Sequence, residues 1–175
     1  MRKIVLTFGL ISGAILSGLM FLSVAFQDRI GLDHSLVLGY ATMVLAFLLI
    51  YFGVRSYRDT AGAGRVGFGK AFQVGVLIML VASVCYVVSW DIVYRNFMPN
   101  FFADYSAHVL EQARASGATE AQLAAQQAQL AQYAEMYKNP LIRAGMTFLE
   151  PLPVGLLFAL LSAWLLSRKK QEAAA

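Results

Sequence analysis

The chain has 175 residues, 59% of them hydrophobic and 14% charged, with a net charge of +4 and a mean hydropathy of +0.62. That apolar share exceeds the about 45–50% of soluble domains, so the composition excludes an ordinary water-soluble fold and points to one lipid-embedded domain, 1–175. The single cysteine, Cys85, excludes an internal disulfide and a cysteine metal cluster. The basic residues gather at the ends of apolar runs, which is a topology signal rather than the stripe that would bind nucleic acid.

The first predicted transmembrane helix is the uncharged run 4–26, long enough at about 1.5 Å per residue to cross a hydrocarbon core of roughly 30 Å. A cleaved signal peptide is the rival reading, because Ser23-Val24-Ala25 resembles a cleavage site. The run, however, exceeds the about 7–15 residues of a signal h-region. Gly9, Gly13 and Ser17 recur every four residues, a small-residue stripe that lets another backbone approach closely. The polar turn Gln27 to His34 leads into a second span over 35–54.

The segment 55–70 is basic and glycine-rich and reads as a loop. Gly62-x-Gly64-x-x-Gly67 matches a dinucleotide fingerprint, and Gly64-x-x-x-x-Gly69-Lys70 matches most of a P-loop. Both chemistries need a strand before and a soluble helix after, and Ala71 stands where magnesium needs Ser or Thr. Neither a nucleotide nor any other cofactor is expected. Arg55, Arg58, Arg65 and Lys70 instead suit anionic headgroups.

A third span covers 71–94 and places Asp91 at its far boundary, where Asp91 and Arg95, four apart on one face, are expected to pair. Apolarity then falls over 96–139, which reads as a helical hairpin outside the bilayer. Phe102, Tyr105 and Val109 mark one helical face, and Ser116-Gly117-Ala118 breaks that helix. Thr119 with Gln122 forms a capping box, and Leu123, Gln126, Leu130, Tyr133 and Tyr137 form a narrow seam. Asp104, His108 and Glu111 share a face at i, i+4 and i+7, but three ligands without a completing set read as a solvated face, and no metal is expected.

The fourth apolar segment, 142–167, breaks its own pattern at Glu150-Pro151-Leu152-Pro153. Two prolines remove backbone donors, so a helix break is expected there. In one placement Glu150 lies near the midplane at the depth of Ser17, Thr42 and Ser83, which makes it a functional candidate. In the other, which the proline positions favour, Pro151 starts a span of about 17 residues with Glu150 at its N-terminus. Gly155, Ala159 and Ala163 give this helix its own small-residue stripe.

Nine Lys and Arg flank the spans on one side and five on the other, so the positive-inside rule puts both termini in the cytoplasm and the hairpin outside. The fold class expected is therefore all-α: a four-span polytopic membrane protein with an extracytoplasmic hairpin between spans three and four.

As a set, Gly39-Tyr-Ala-Thr-Met43, Arg55-Ser-Tyr-Arg-Asp59, Phe68-Gly-Lys-Ala-Phe72, Glu135-Met-Tyr-Lys-Asn-Pro140 and Phe148-Leu-Glu-Pro-Leu-Pro-Val-Gly155 resemble a family of small bacterial membrane proteins catalogued as a domain of unknown function. The resemblance covers nearly the whole chain and implies a bacterial four-helix membrane protein. It brings no activity, substrate or catalytic residue. The sequence itself favours a non-enzymatic accessory, assembly or scaffold subunit whose partners are the lipid bilayer, a protein held through the hairpin, or a second copy. The alternative is a proton-coupled carrier centred on Glu150. A membrane enzyme has little support, because no serine or cysteine stands in helical relation to a histidine.

Overall fold

A computed structural model describes residues 1–26 and 32–168, with side chains of the second helix described from Val37. The polar turn expected over Gln27–His34 and the tail residues Lys169 and Lys170 lie outside these described side chains. The described residues form seven helices and no strand: α1 Arg2–Ala25, α2 Leu32–Ala61, α3 Phe68–Asn96, α4 Phe101–Ala115, α5 Glu120–Lys138, α6 Pro140–Leu149 and α7 Leu152–Ser167. Four stretches are long and apolar enough to cross a membrane, namely Arg2–Ala25, Val37–Ala61, Phe68–Asn96 and Pro140–Ser167. Only 28–39% of the residues in their apolar windows are buried inside the protein. Most of each apolar surface therefore faces outward, which suits a lipid solvent and would be unstable in water.

The residues divide into two compact units, Met1–Trp90 with 147–175, and Asp91–Met146. The first contains α1, α2, most of α3 and α7. Its core is aliphatic and small-residue, with Phe47, Ile50, Val74, Ile78, Ala82 and Ala159 fully buried. Backbones meet closely where glycine is present. A Cβ on Gly9 would stand 2.6 Å from the Val81 Cβ, one on Gly13 would stand 2.6 Å from the Cys85 Cβ, and one on Gly75 would stand 3.0 Å from the Ala159 Cβ. The two stripes read from the sequence thus lie inside this unit: Gly9, Gly13, Gly155, Ala159 and Ala163 are buried and Ser17 is half-buried. Gly155 packs on the Met79 side chain.

α2 runs seven residues past the boundary expected at Val54. A membrane span ends where side chains become polar, but a helix ends where its carbonyls find a cap. Arg55 and Asp59 continue it as an i, i+4 pair at 3.8 Å, and Thr60 Oγ1 donates to the Ser56 carbonyl at 2.7 Å. The stop comes at Ala63 and Gly64, with φ of 48° and 81°, which turn the chain through the left-handed region. α3 likewise starts at Phe68 rather than Ala71, with the Phe68 and Phe72 rings stacked at 6.2 Å.

In the second unit α4 and α5 pack against each other. α4 ends at Gly117, φ 83°, with the Ala118 amide donating to the Ala113 carbonyl at 3.0 Å. α5 starts with both halves of the capping box: the Thr119 hydroxyl accepts from the Gln122 amide, and the Gln122 side chain accepts from the Thr119 amide at 2.8 Å. Asn139 Oδ1 then accepts from the Leu141 amide at 2.9 Å, so Asn139-Pro140 closes one helix and caps the next.

Candidate functional site

The break in the last span comes where the two prolines require it. α6 stops at Leu149, Pro151 sits at φ −76° and ψ −13° as the N-cap of α7, and the helical ladder resumes with the Gly155 amide on the Pro151 carbonyl at 2.9 Å. Neither Pro151 nor Pro153 has an N–H, so the carbonyls one turn back lose their helical donors. Glu150 stands in this gap, exposed on the surface of its unit. Its Oε2 accepts a hydrogen bond from the Tyr86 hydroxyl at 3.0 Å.

The carboxylate is therefore bonded to Tyr86, and the expected layer of Ser17, Thr42 and Ser83 is arranged differently. Ser17 Oγ accepts from Ser89 Oγ at 2.7 Å, tying α1 to α3. Ser83 is fully buried and its hydroxyl has no hydrogen-bond partner. Thr42 is half-buried. A further intramembrane hydrogen bond, Ser12 Oγ to the Ala46 carbonyl at 2.9 Å, ties α1 to α2. Neither Tyr86, Ser89 nor Ser12 was a candidate from sequence. A depth count supplies the signal for Tyr86: it lies sixteen residues beyond Lys70, about 24 Å of helix, and Glu150 lies about 25 Å before Ser167.

The Gly62 and Gly64 amides donate to the Tyr57 and Arg58 carbonyls at 3.2 and 3.0 Å, and the Arg65 amide donates to the Gly62 carbonyl at 2.9 Å. These three amides thus cap α2 and close its turn.

The second unit is organised around a residue that the sequence left as one more charge. Arg143 is buried, its Nε donates to Asp91 Oδ1 at 3.0 Å, and its Nη2 makes a short contact to the same oxygen. Nη1 donates to the Tyr137 carbonyl at 3.1 Å, and the guanidinium carbon lies 4.6 Å from the centre of the Tyr94 ring. Asp91 Oδ2 meets Arg95 Nε at 2.9 Å, so the expected i, i+4 pair is one arm of a three-residue network. Rings close around it: Tyr137 lies 5.4 Å from Tyr94 and 4.8 Å from Phe102. The Arg143 guanidinium is thus held within the unit by Asp91, the Tyr137 carbonyl and the Tyr94 ring. On α4, Asp104 and Glu111 are exposed, His108 meets Gln112 at 3.1 Å, and no set of three ligands able to hold a metal occurs among the described residues.

A family profile described as a protein of unknown function, DUF4199, matches residues 7–168. The chain belongs to the DUF4199 family. The match takes in three of the four apolar spans and most of the first, with the glycine loop, the Arg143 network and the Glu150 break of this DUF4199 protein. No curated protein and no solved structure matches it.

Proposed function

We propose that the protein is a non-enzymatic membrane subunit that acts through helix contacts with another protein, in an accessory, assembly or scaffold role, with α4 and α5 as the contact module. The observation that carries this reading is the incomplete cover of that helix pair. α4 has no buried residue and α5 buries only Leu123, Leu130 and Tyr137, leaving Tyr105, Tyr133 and Met136 each about 40% exposed. Two helices with rings on their surface suit a third helix laid along them. The excess of Lys and Arg at the termini and glycine loop supports a cytoplasmic placement of those segments in a bacterial inner membrane, with α4 and α5 on the other side. A photo-crosslinking residue at Ala124, exposed on α5, should capture one discrete foreign protein in cells. Adducts confined to the protein itself, or none, would remove the reading.

A proton-coupled carrier is the second reading, favoured by the Tyr86–Glu150 bond at a broken helix. With Lys70 at one boundary, Tyr86 and Glu150 lie about 6 Å inside the other, deeper than an interface and shallower than the midplane. Against it stands the closed core of α1, α2, α3 and α7, in which Phe47, Ile50, Ile78 and Val74 are 0% exposed. If this reading holds, Glu150→Gln abolishes proton flux in liposomes; flux equal to the parent protein's excludes it.

A further inference from the structure

One face of α3 carries Gly75, Met79, Ser83 and Tyr86, which follow one another at helical spacing. Three of the four meet the last span at named residues. A Cβ on Gly75 would stand 3.0 Å from the Ala159 Cβ, Met79 packs on Gly155, and the Tyr86 hydroxyl donates to Glu150 Oε2 at 3.0 Å. Positions fall along α7 as they rise along α3, and by equal steps from Gly75 to Met79, so the two helices are antiparallel here. The same step carried once more sets Ser83 opposite Pro151, which is fully buried.

Ser83 is 0% exposed and its hydroxyl has no hydrogen-bond partner, a costly state for a buried polar group. The proline that it faces has no N–H to offer, and Pro153 removes the helical donor of the Leu149 carbonyl. Glu150 adds a carboxyl group at about 6 Å inside the membrane boundary, where a negative charge needs a partner. The break thus collects a hydroxyl, a carboxyl and a carbonyl, all of them hard oxygen donors. α6 ends and α7 begins at this point, so the negative end of one helix dipole meets the positive end of the other and the carboxylate sets the sign. A single carboxylate is matched by a single positive charge, whereas a divalent ion would leave an excess charge in apolar surroundings.

We propose that the break between α6 and α7 binds a monovalent alkali cation, with the Glu150 carboxylate, the Ser83 hydroxyl and the Leu149 carbonyl as its ligands. Tyr86 is a positioning residue, since its bond to Oε2 holds the carboxylate against α3. Unwound backbone at a broken membrane helix suits such an ion, because its carbonyls are no longer committed to the helical ladder. The site lies within the first unit and does not rest on the contact role of α4 and α5.

Thermal unfolding of the full chain in mild detergent, titrated with sodium chloride against choline chloride at equal ionic strength and pH, tests this. Sodium should raise the midpoint saturably. Ser83→Ala removes an unpartnered hydroxyl, so its midpoint in choline should be no lower than the parent's, while its apparent affinity for sodium should fall about ten-fold. Glu150→Gln should abolish the sodium response. Equal midpoints of the parent in the two salts overturn the site, including the case in which only a change of pH shifts them, which assigns a proton to the carboxylate instead. A sodium response that survives in Glu150→Gln, or that Ser83→Ala leaves at full affinity, overturns the ligand set.

Discussion

The unit built from α1, α2, α3 and α7 is held by the closeness of backbones, whereas Asp91–Met146 is held by one buried cation and a cluster of rings. In the first, glycine and alanine remove side-chain volume so that Val81, Cys85, Met79 and Ala159 lie directly against a facing helix. Lipid offers no hydrophobic drive between helices, so such contacts and a few hydroxyl bonds such as Ser12 to Ala46 must suffice. In the second, α4 and α5 bury few side chains, and Arg143 supplies the long-range order through Asp91 and the Tyr137 carbonyl. The difference is between many small interchangeable contacts and a single one with no substitute.

The largest expected effect follows from that single contact. Arg143→Met removes the principal partner of Asp91 and should destabilise the second unit by about 3 kcal/mol, the low end for a broken buried pair because Arg95 still faces Asp91. Arg143→Lys should fail to restore it, since an ammonium cannot span Asp91 and the Tyr137 carbonyl as a planar fork does. Hydrogen exchange over α5 and α6 measures both, and protection equal to the parent's would show that the rings alone hold the unit. Arg95→Ala, at an exposed side chain, should cost no more than about 0.5 kcal/mol.

Close approach in the first unit makes its glycines the next most sensitive positions. Gly13→Ala should cost about 2 kcal/mol in a thermal unfolding assay, because the new methyl meets the Cys85 Cβ, which cannot rotate away. Gly155→Ala should cost less, because its neighbour is the flexible Met79 side chain. Equal midpoints for the two would mean that α1 shifts freely and that this unit is looser than its packing indicates.

Thr119→Ala removes one half of the capping box and should cost about 1 kcal/mol, confined to exchange in the first turn of α5. The smallest effect has the opposite sign. Gly18 faces open space on α1, so Gly18→Ala should raise the thermal midpoint by an amount equivalent to about 0.5–1 kcal/mol. A fall instead would identify a contact on that face with another molecule.

Much of this architecture is legible in the sequence because its causes are local. Apolar runs of about twenty residues specify spans, Pro151 and Pro153 specify the break beside Glu150, Thr119 with Gln122 specifies the start of α5, and small residues at four-residue spacing specify which faces pack closely. The boundaries of α2 and α3 are less legible, since hydropathy marks where a lipid ends while backbone conformation at Ala63 and Gly64 decides where the helix ends. The pairings were decided by tertiary structure alone. Arg143 finds Asp91 across 52 residues, Tyr86 finds Glu150 across 64, and Ser17 takes Ser89 rather than the carboxylate. Such partners depend on how far each helix is rotated and raised against its neighbour. Periodicity along one chain gives the face a residue lies on, but it does not give the residue that meets it from another helix.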